Sequence, residues 1–180
     1  MPTSVRFTSF PRTKPPPLFA PEVIKVFRRH EATISTEVLA KGLESDPVLK
    51  ALSDDLSALG FAVETGKSRG GKVSRPVFYG ENGEPTLLYE IDAYHASWKC
   101  GLEVEAGRAI LGNAVFRDLF QAMVMPDVEH LCLAVPNVYK YNSGGRALSS
   151  KYYDKTVSIA DALYGHSRVA MPYGLTVIGY

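Results

Sequence analysis

Thr86-Leu-Leu-Tyr-Glu-Ile-Asp-Ala-Tyr-His-Ala96 and, four residues later, Gly101-Leu-Glu-Val-Glu-Ala106 decide how this chain is read. Both stretches alternate apolar and polar side chains, and residues two apart in an extended strand point to one side of a sheet. Glu90 and Asp92 therefore share a face of the first strand, and Glu103 and Glu105 share a face of the second. Ile91 with Ala93, and Leu102 with Val104, would line the opposite face towards a core, leaving the acids on the open face of the sheet. If the two strands form a hairpin turning at Ser97-Trp98, Asp92 stands opposite Glu103 and Glu90 opposite Glu105, with Cβ atoms about 5 Å apart. Ser97-Trp98 lacks the Asn-Gly or glycine chemistry of a tight two-residue turn, which leaves a slip of two residues open.

Outward from these strands the pattern is a mixture of helices and strands. Residues 1–20 carry Pro2, Pro11 and Pro15 to Pro17 with Arg6, Arg12 and Lys14, a composition that resists helix and reads as an extended basic arm. Val23, Ile24, Val26 and Phe27 follow near helical spacing. A second helix is expected to about Leu59, with Asp46 as cap, Pro47 in the first helical position and Gly60 as the stop. Phe61 to Glu64 and Pro76 to Tyr79 read as strands. After the acidic strands, Ile110, Val115, Leu119, Ala122 and Met123 mark a helix from about Ala109 to Met125. Leu131-Cys-Leu-Ala-Val135 has the length and continuous apolarity of a strand buried on both faces. Lys151 to Leu163 reads as a last helix and Leu175 to Ile178 as a last strand. An antiparallel meander that feeds helical crossovers implies an α/β fold with a mixed sheet and helices on both sides. The expected organisation is an arm over 1–20 and a single domain over 21–180.

Facing carboxylates cost free energy unless something compensates them, because like charges directly opposite destabilise a sheet and buried carboxylates either rise in pKa or hold a cation. Hard oxygen ligands select Mg²⁺ or Mn²⁺, and magnesium commonly takes one or two carboxylates together with substrate phosphate. Asp92 and Glu103 form the central ligand pair of this reading, with Glu90 beside them. Acidic residues alternating with apolar ones also suit a solvated sheet face, and the pattern alone leaves both readings open.

Ile91-Asp92, then nine residues, then Leu102-Glu103-Val104-Glu105 resembles the PD-(D/E)xK nuclease superfamily, named for an Asp on one strand and a Glu-x-Lys on the next. The resemblance spans roughly residues 52–135. Glu103-Val-Glu-Ala-Gly-Arg108, leading into Phe116-Arg-Asp-Leu-Phe120, is most similar to restriction endonucleases of the BglII and BamHI kind. The resemblance implies a restriction-endonuclease-like fold and magnesium- or manganese-dependent cleavage of DNA, with Asp92 and Glu103 as metal ligands. Glu105 would stand at the superfamily's lysine position, a departure that limits it to general-base or water-mediated roles. Arg108 could return positive charge to the transition state or anchor a phosphate. Many enzymes of this kind act as two-fold dimers, so a homodimer is compatible with the resemblance, and phosphodiester chemistry by itself does not separate DNA from RNA. A second class of function also fits the missing lysine: a nuclease-like fold without chemistry that serves as a nucleic-acid or protein binding module.

Twenty Lys and Arg against 19 Asp and Glu give no global field to attract a polyanion, so any such binding must be local. The candidates are the glycine-rich loop carrying Lys67, Arg69, Lys72 and Arg75, and the Tyr139-Lys140-Tyr141 segment with Arg146. His95, one residue out of phase with Asp92, is expected to face away from the acids. Cys100 and Cys132 have neither zinc-finger spacing nor a disulfide framework. No apolar run approaches a membrane span, and the expected setting is the cytoplasm.

Overall fold

The computed structural model describes residues 3–107 and 109–180. The central six-stranded sheet has the order β1-β10-β7-β6-β5-β2. Its middle is parallel: β6 (Cys100–Val104), β7 (His130–Val135) and β10 (Gly174–Gly179) run together. Antiparallel strands flank it, with β1 (Arg6–Phe10) on β10, then β5 (Ala93–His95) on β6 and β2 (Ala62–Val63) on β5. The parallel joins are made by helical crossovers, α4 (Ala114–Val124) between β6 and β7 and α5 (Tyr152–Gly165) before β10.

Two apolar layers cover the two faces. On one, Val23, Ile24 and Phe27 of α1 (Ala20–Arg29) and Leu52 and Leu56 of α3 (Ser45–Leu59) pack with Leu102, Val104, Cys132 and Ile178. The four-residue α2 (Glu31–Ile34) adds Ile34 to this layer. On the other, Val115 and Leu119 of α4 and Tyr152 and Ala160 of α5 pack with Leu131, Leu133, Leu175 and Val177. All six residues of β7 are buried, as its continuous apolar run predicts for a strand covered on both sides. This is the α/β fold with a mixed sheet and helices on both faces that the pattern implied. Gly60 ends α3 at φ 104°, where its N–H closes the last turn onto Leu56 and Ser57. Glu44, not Asp46, is the N-cap residue of α3.

Three expectations are corrected. The segment before residue 20 is not a free arm: Arg6–Phe10 forms the sheet's edge strand, and Val5 and Phe10 are buried. The stretch 86–96 is not one strand. It starts as β4 (Pro85–Ile91), paired with β3 (Val73–Tyr79) in a separate two-stranded ribbon, bends at Asp92, and enters the main sheet as β5. Ile91 consequently packs into the α4–α5 layer while Ala93 packs into the α1–α3 layer. Finally, the Tyr139 to Ser150 region, where the sequence pattern assigns no strand, is a hairpin of β8 (Tyr139–Ser143) and β9 (Arg146–Ser150). Gly144 and Gly145 turn it at φ 56° and 75°, the positive values a two-residue hairpin turn requires.

Candidate active site

The β5–β6 register pairs Ala93 with Leu102, Tyr94 with Gly101 and His95 with Cys100, so the hairpin turns at Ser97-Trp98 without a slip. Continued by one residue, this register sets Asp92 against Glu103. Asp92 is held at two points: its carbonyl accepts from the Glu64 N–H (2.8 Å) and its Oδ2 accepts from the Val104 N–H (2.8 Å). Glu103 stands beside it, close enough for the two carboxyl groups to act on each other's charge.

The acids do not lie on an open face. α4 folds back over them, leaving Glu103 only 7 % and Glu105 8 % exposed. Their strand neighbours Leu102 and Val104 belong to the opposite layer, so alternation along β6 aims both glutamates at α4. Glu105 continues the strand pairing through its N–H to the Ala134 carbonyl, and its own carbonyl accepts from the buried Tyr180 hydroxyl at 2.9 Å.

From α4 come two groups that the strand pattern could not announce. Asp118 is 1 % exposed and points at Glu105, and Arg117 reaches in from the helix surface. The Arg117 Nη2 donates to Glu105 Oε1 (2.8 Å) and to Asp118 Oδ1 (2.8 Å), with Nε on the same Asp118 oxygen at 2.9 Å. Glu64, next to Asp92, adds a further negative charge that Lys72 balances.

Crowding four carboxyls where water is scarce raises their proton affinity. Desolvation pushes Asp92 up to about 6, against the pull of the Val104 N–H, with Glu64 and Asp118 adding repulsion. Glu105 is pushed up to about 8, first by burial and then by Asp118, with Arg117 opposing. Glu103 lies well above the ordinary glutamate range, from burial and then the Asp92 charge, and Asp118 is also raised by burial. The carboxyls thus form two pairs, Asp92 with Glu103 and Glu105 with Asp118. Among the described residues no three acidic, histidine or cysteine side chains are grouped as a ready ligand set. The donor chemistry still fits a hard divalent cation, which needs only one or two protein carboxylates alongside substrate and water oxygens. The buried Oδ2 of Asp118, which has no hydrogen-bond donor, supports that fit.

Glu90 falls outside the cluster, contrary to expectation. It lies on β4 opposite Ser74, not opposite Glu105, and its carboxylate pairs with Lys72 at 3.2 Å. The bend at Asp92 carries it away. Arg108 lies outside the described residues. Of the loop cations, Lys72 bridges Glu64 and Glu90, and Arg75 pairs with Asp127 while stacking over the Tyr94 ring at 4.1 Å. The loop therefore has acidic neighbours that its sequence did not reveal. Lys67 makes a loose, exposed pair with Asp46 at 3.3 Å, and Arg69 is exposed at the loop turn. His95 lies on the far face, bonded to the Leu59 carbonyl and stacked on Trp98 at 3.8 Å.

Beside Glu105 a cleft of about 580 Å³ opens at the carboxyl ends of β6 and β7, lined among others by Lys41, Lys67, Tyr139 and Lys140. Glu44 and Asp46 share its wall. Lys140 is tethered to the Leu39 carbonyl at 2.8 Å, and Tyr139 stacks between Tyr141 and Tyr152. Arg146 lies further out, on the exposed strand β9.

The family model described as "putative halobacteria restriction endonuclease" matches residues 19–180. No curated protein matches the chain.

Proposed function

The chain belongs to this halobacteria restriction endonuclease family, and on that premise we propose that it is a metal-dependent endonuclease hydrolysing DNA phosphodiester bonds at Asp92 and Glu103. The observation that carries the reading is the Asp92–Glu103 pair: two carboxyls from adjacent strands, in register, half-buried and buried, with raised proton affinities. Magnesium or manganese is the cation this oxygen set suits. When bound, it would supply Lewis-acid polarisation of the phosphodiester and lower the pKa of a water.

The protein's own groups divide the remaining work. Asp92 and Glu103 would hold the ion, and the Val104 N–H fixes the Asp92 carboxylate in place. Glu105, at the position where the PD-(D/E)xK superfamily has lysine, takes the proton of the attacking water. A carboxyl near 8 both accepts and returns a proton around neutral pH. Arg117 supplies the cationic partner that Glu105 itself lacks, and its fork geometry suits a phosphoryl oxygen as well as a carboxylate. Lys41, Lys67 and Lys140 line the adjoining cleft where flanking phosphates would run.

Asp92→Asn and Glu103→Gln should each abolish magnesium-dependent cleavage of duplex DNA while circular dichroism stays native. Cleavage that survives both changes removes the assignment. A second reading draws on Glu105 replacing the lysine: a DNA-binding module without chemistry. It predicts salt-dependent binding and no cutting at any Mg²⁺ or Mn²⁺ concentration.

A further inference from the structure

The second carboxyl pair already has a cation between its members. Arg117 lays its guanidinium across Glu105 and Asp118, with three donor contacts between 2.8 and 2.9 Å. Asp118 is wholly enclosed on the sheet side of α4, yet its Oδ2 lacks a donor. Glu105 could supply one only as the protonated acid. A buried carboxylate with an unfilled oxygen is costly, and removal of its counter-charge costs more. Arg117 meets this demand from outside: its side chain is 59 % exposed and crosses from the helix surface to the acids. Its single positive charge is the minimum that two facing carboxyls require. A divalent ion placed between them would meet the same demand and could also engage the unfilled Asp118 oxygen.

We infer that Arg117 fills a second cation position of this centre, between Glu105 and Asp118, so that the native site takes one divalent ion instead of two. The inference rests on the reading of Asp92 and Glu103 as the first position. It assigns Asp118, which the strand motif does not include, as a latent metal ligand. It also gives Arg117 a role set by geometry: a fixed monovalent substitute for an exchangeable divalent ion.

The test counts bound Mn²⁺ by calorimetric titration and by electron paramagnetic resonance, without reference to cleavage. The native chain should bind one ion. Arg117→Gln, which keeps hydrogen-bond donors but not the charge, should bind two, and adding Asp118→Asn to it should return the count to one. Two ions in the native chain, or one in Arg117→Gln, overturns the inference and leaves the first position intact. No ion in either protein removes the Asp92–Glu103 reading and this inference with it. If Arg117→Gln fails to fold by itself, Mn²⁺ must restore its melting transition, and failure to restore it also overturns the inference.

Discussion

His130 shows what enclosure does to one ionisable group in this protein. Its ring is buried at the start of β7, with Nε2 at 2.9 Å from the Thr176 hydroxyl and Phe19 edge-on at 5.3 Å, and no carboxylate bonds to it. Desolvation alone lowers its pKa from 6.5 to about 4. The unfolded chain therefore takes up a proton near pH 6.5 that the folded chain refuses until about pH 4. Stability from this residue is complete above pH 6.5 and falls by about 1.4 kcal/mol per pH unit between those values. The raised carboxyls act in the opposite sense, so the measurement is a difference: urea midpoints of native and His130→Gln protein at pH 7 and pH 4.5. The native protein should lose more stability on acidification than the variant, and equal losses would refute the account. Within the buried carboxyl cluster, Asp92, Glu103 and Glu105 are legible because alternation along a strand is written in adjacent positions. Asp118 and Arg117 were not, since only the tertiary placement of α4 brings them to the sheet. In the sequence, the Phe116-Arg-Asp-Leu-Phe120 segment stands out by its resemblance and not by its charges.

At the scale of elements, β1 shows how composition can hide a strand. Prolines at 11 and 15–17 dominate the reading of the first twenty residues, yet the five residues before them, Arg6–Phe10, dock on β10. Phe10 anchors the end of that strand, buried and 5.5 Å from the Tyr164 ring. Phe10→Ala should cost about 3 kcal/mol in chemical denaturation, in the range for a buried phenylalanine. Leu18→Ala, at a fully exposed position, should stay within about 0.5 kcal/mol. Equal costs would mean that the segment contributes no packing. The β8–β9 hairpin is hidden for a different reason: Gly144-Gly145 is a recognised turn signal, but its flanking strands are mostly polar and none of their residues is buried, so no apolar period marks them. The β3–β4 ribbon escaped in part because strand pairing does not reveal which sheet a strand joins.

For the whole molecule, a formal charge of +1 places the burden of polyanion binding on local arrangement. Lys72 and Arg75 are paired with Glu64, Glu90 and Asp127, whereas Lys41, Lys140 and Lys67, the last with only an exposed pair to Asp46, line the cleft beside Glu105. Replacing all three with alanine should weaken DNA binding. It should also flatten the dependence of log affinity on log salt by about 2 to 3, at roughly 0.9 per lost phosphate contact. The pair Lys72→Ala and Arg75→Ala should instead lower the melting temperature. An unchanged salt slope in the triple variant would move the contact surface elsewhere. Among the described residues no helix is long and apolar enough to cross a membrane.

The change of sheet at Asp92 has a mechanical meaning. One continuous backbone is ribbon up to Ile91 and sheet from Ala93, and each half is locked by its own ladder, to β3 on one side and to β6 on the other. A one-residue slide in either ladder would invert the side chains of its own half and would have to drag the shared backbone at Asp92 with it. The outlying ribbon thus works as a phase lock, keeping Asp92 aimed at Glu103 with the rigidity of two independent clamps on either side of one joint.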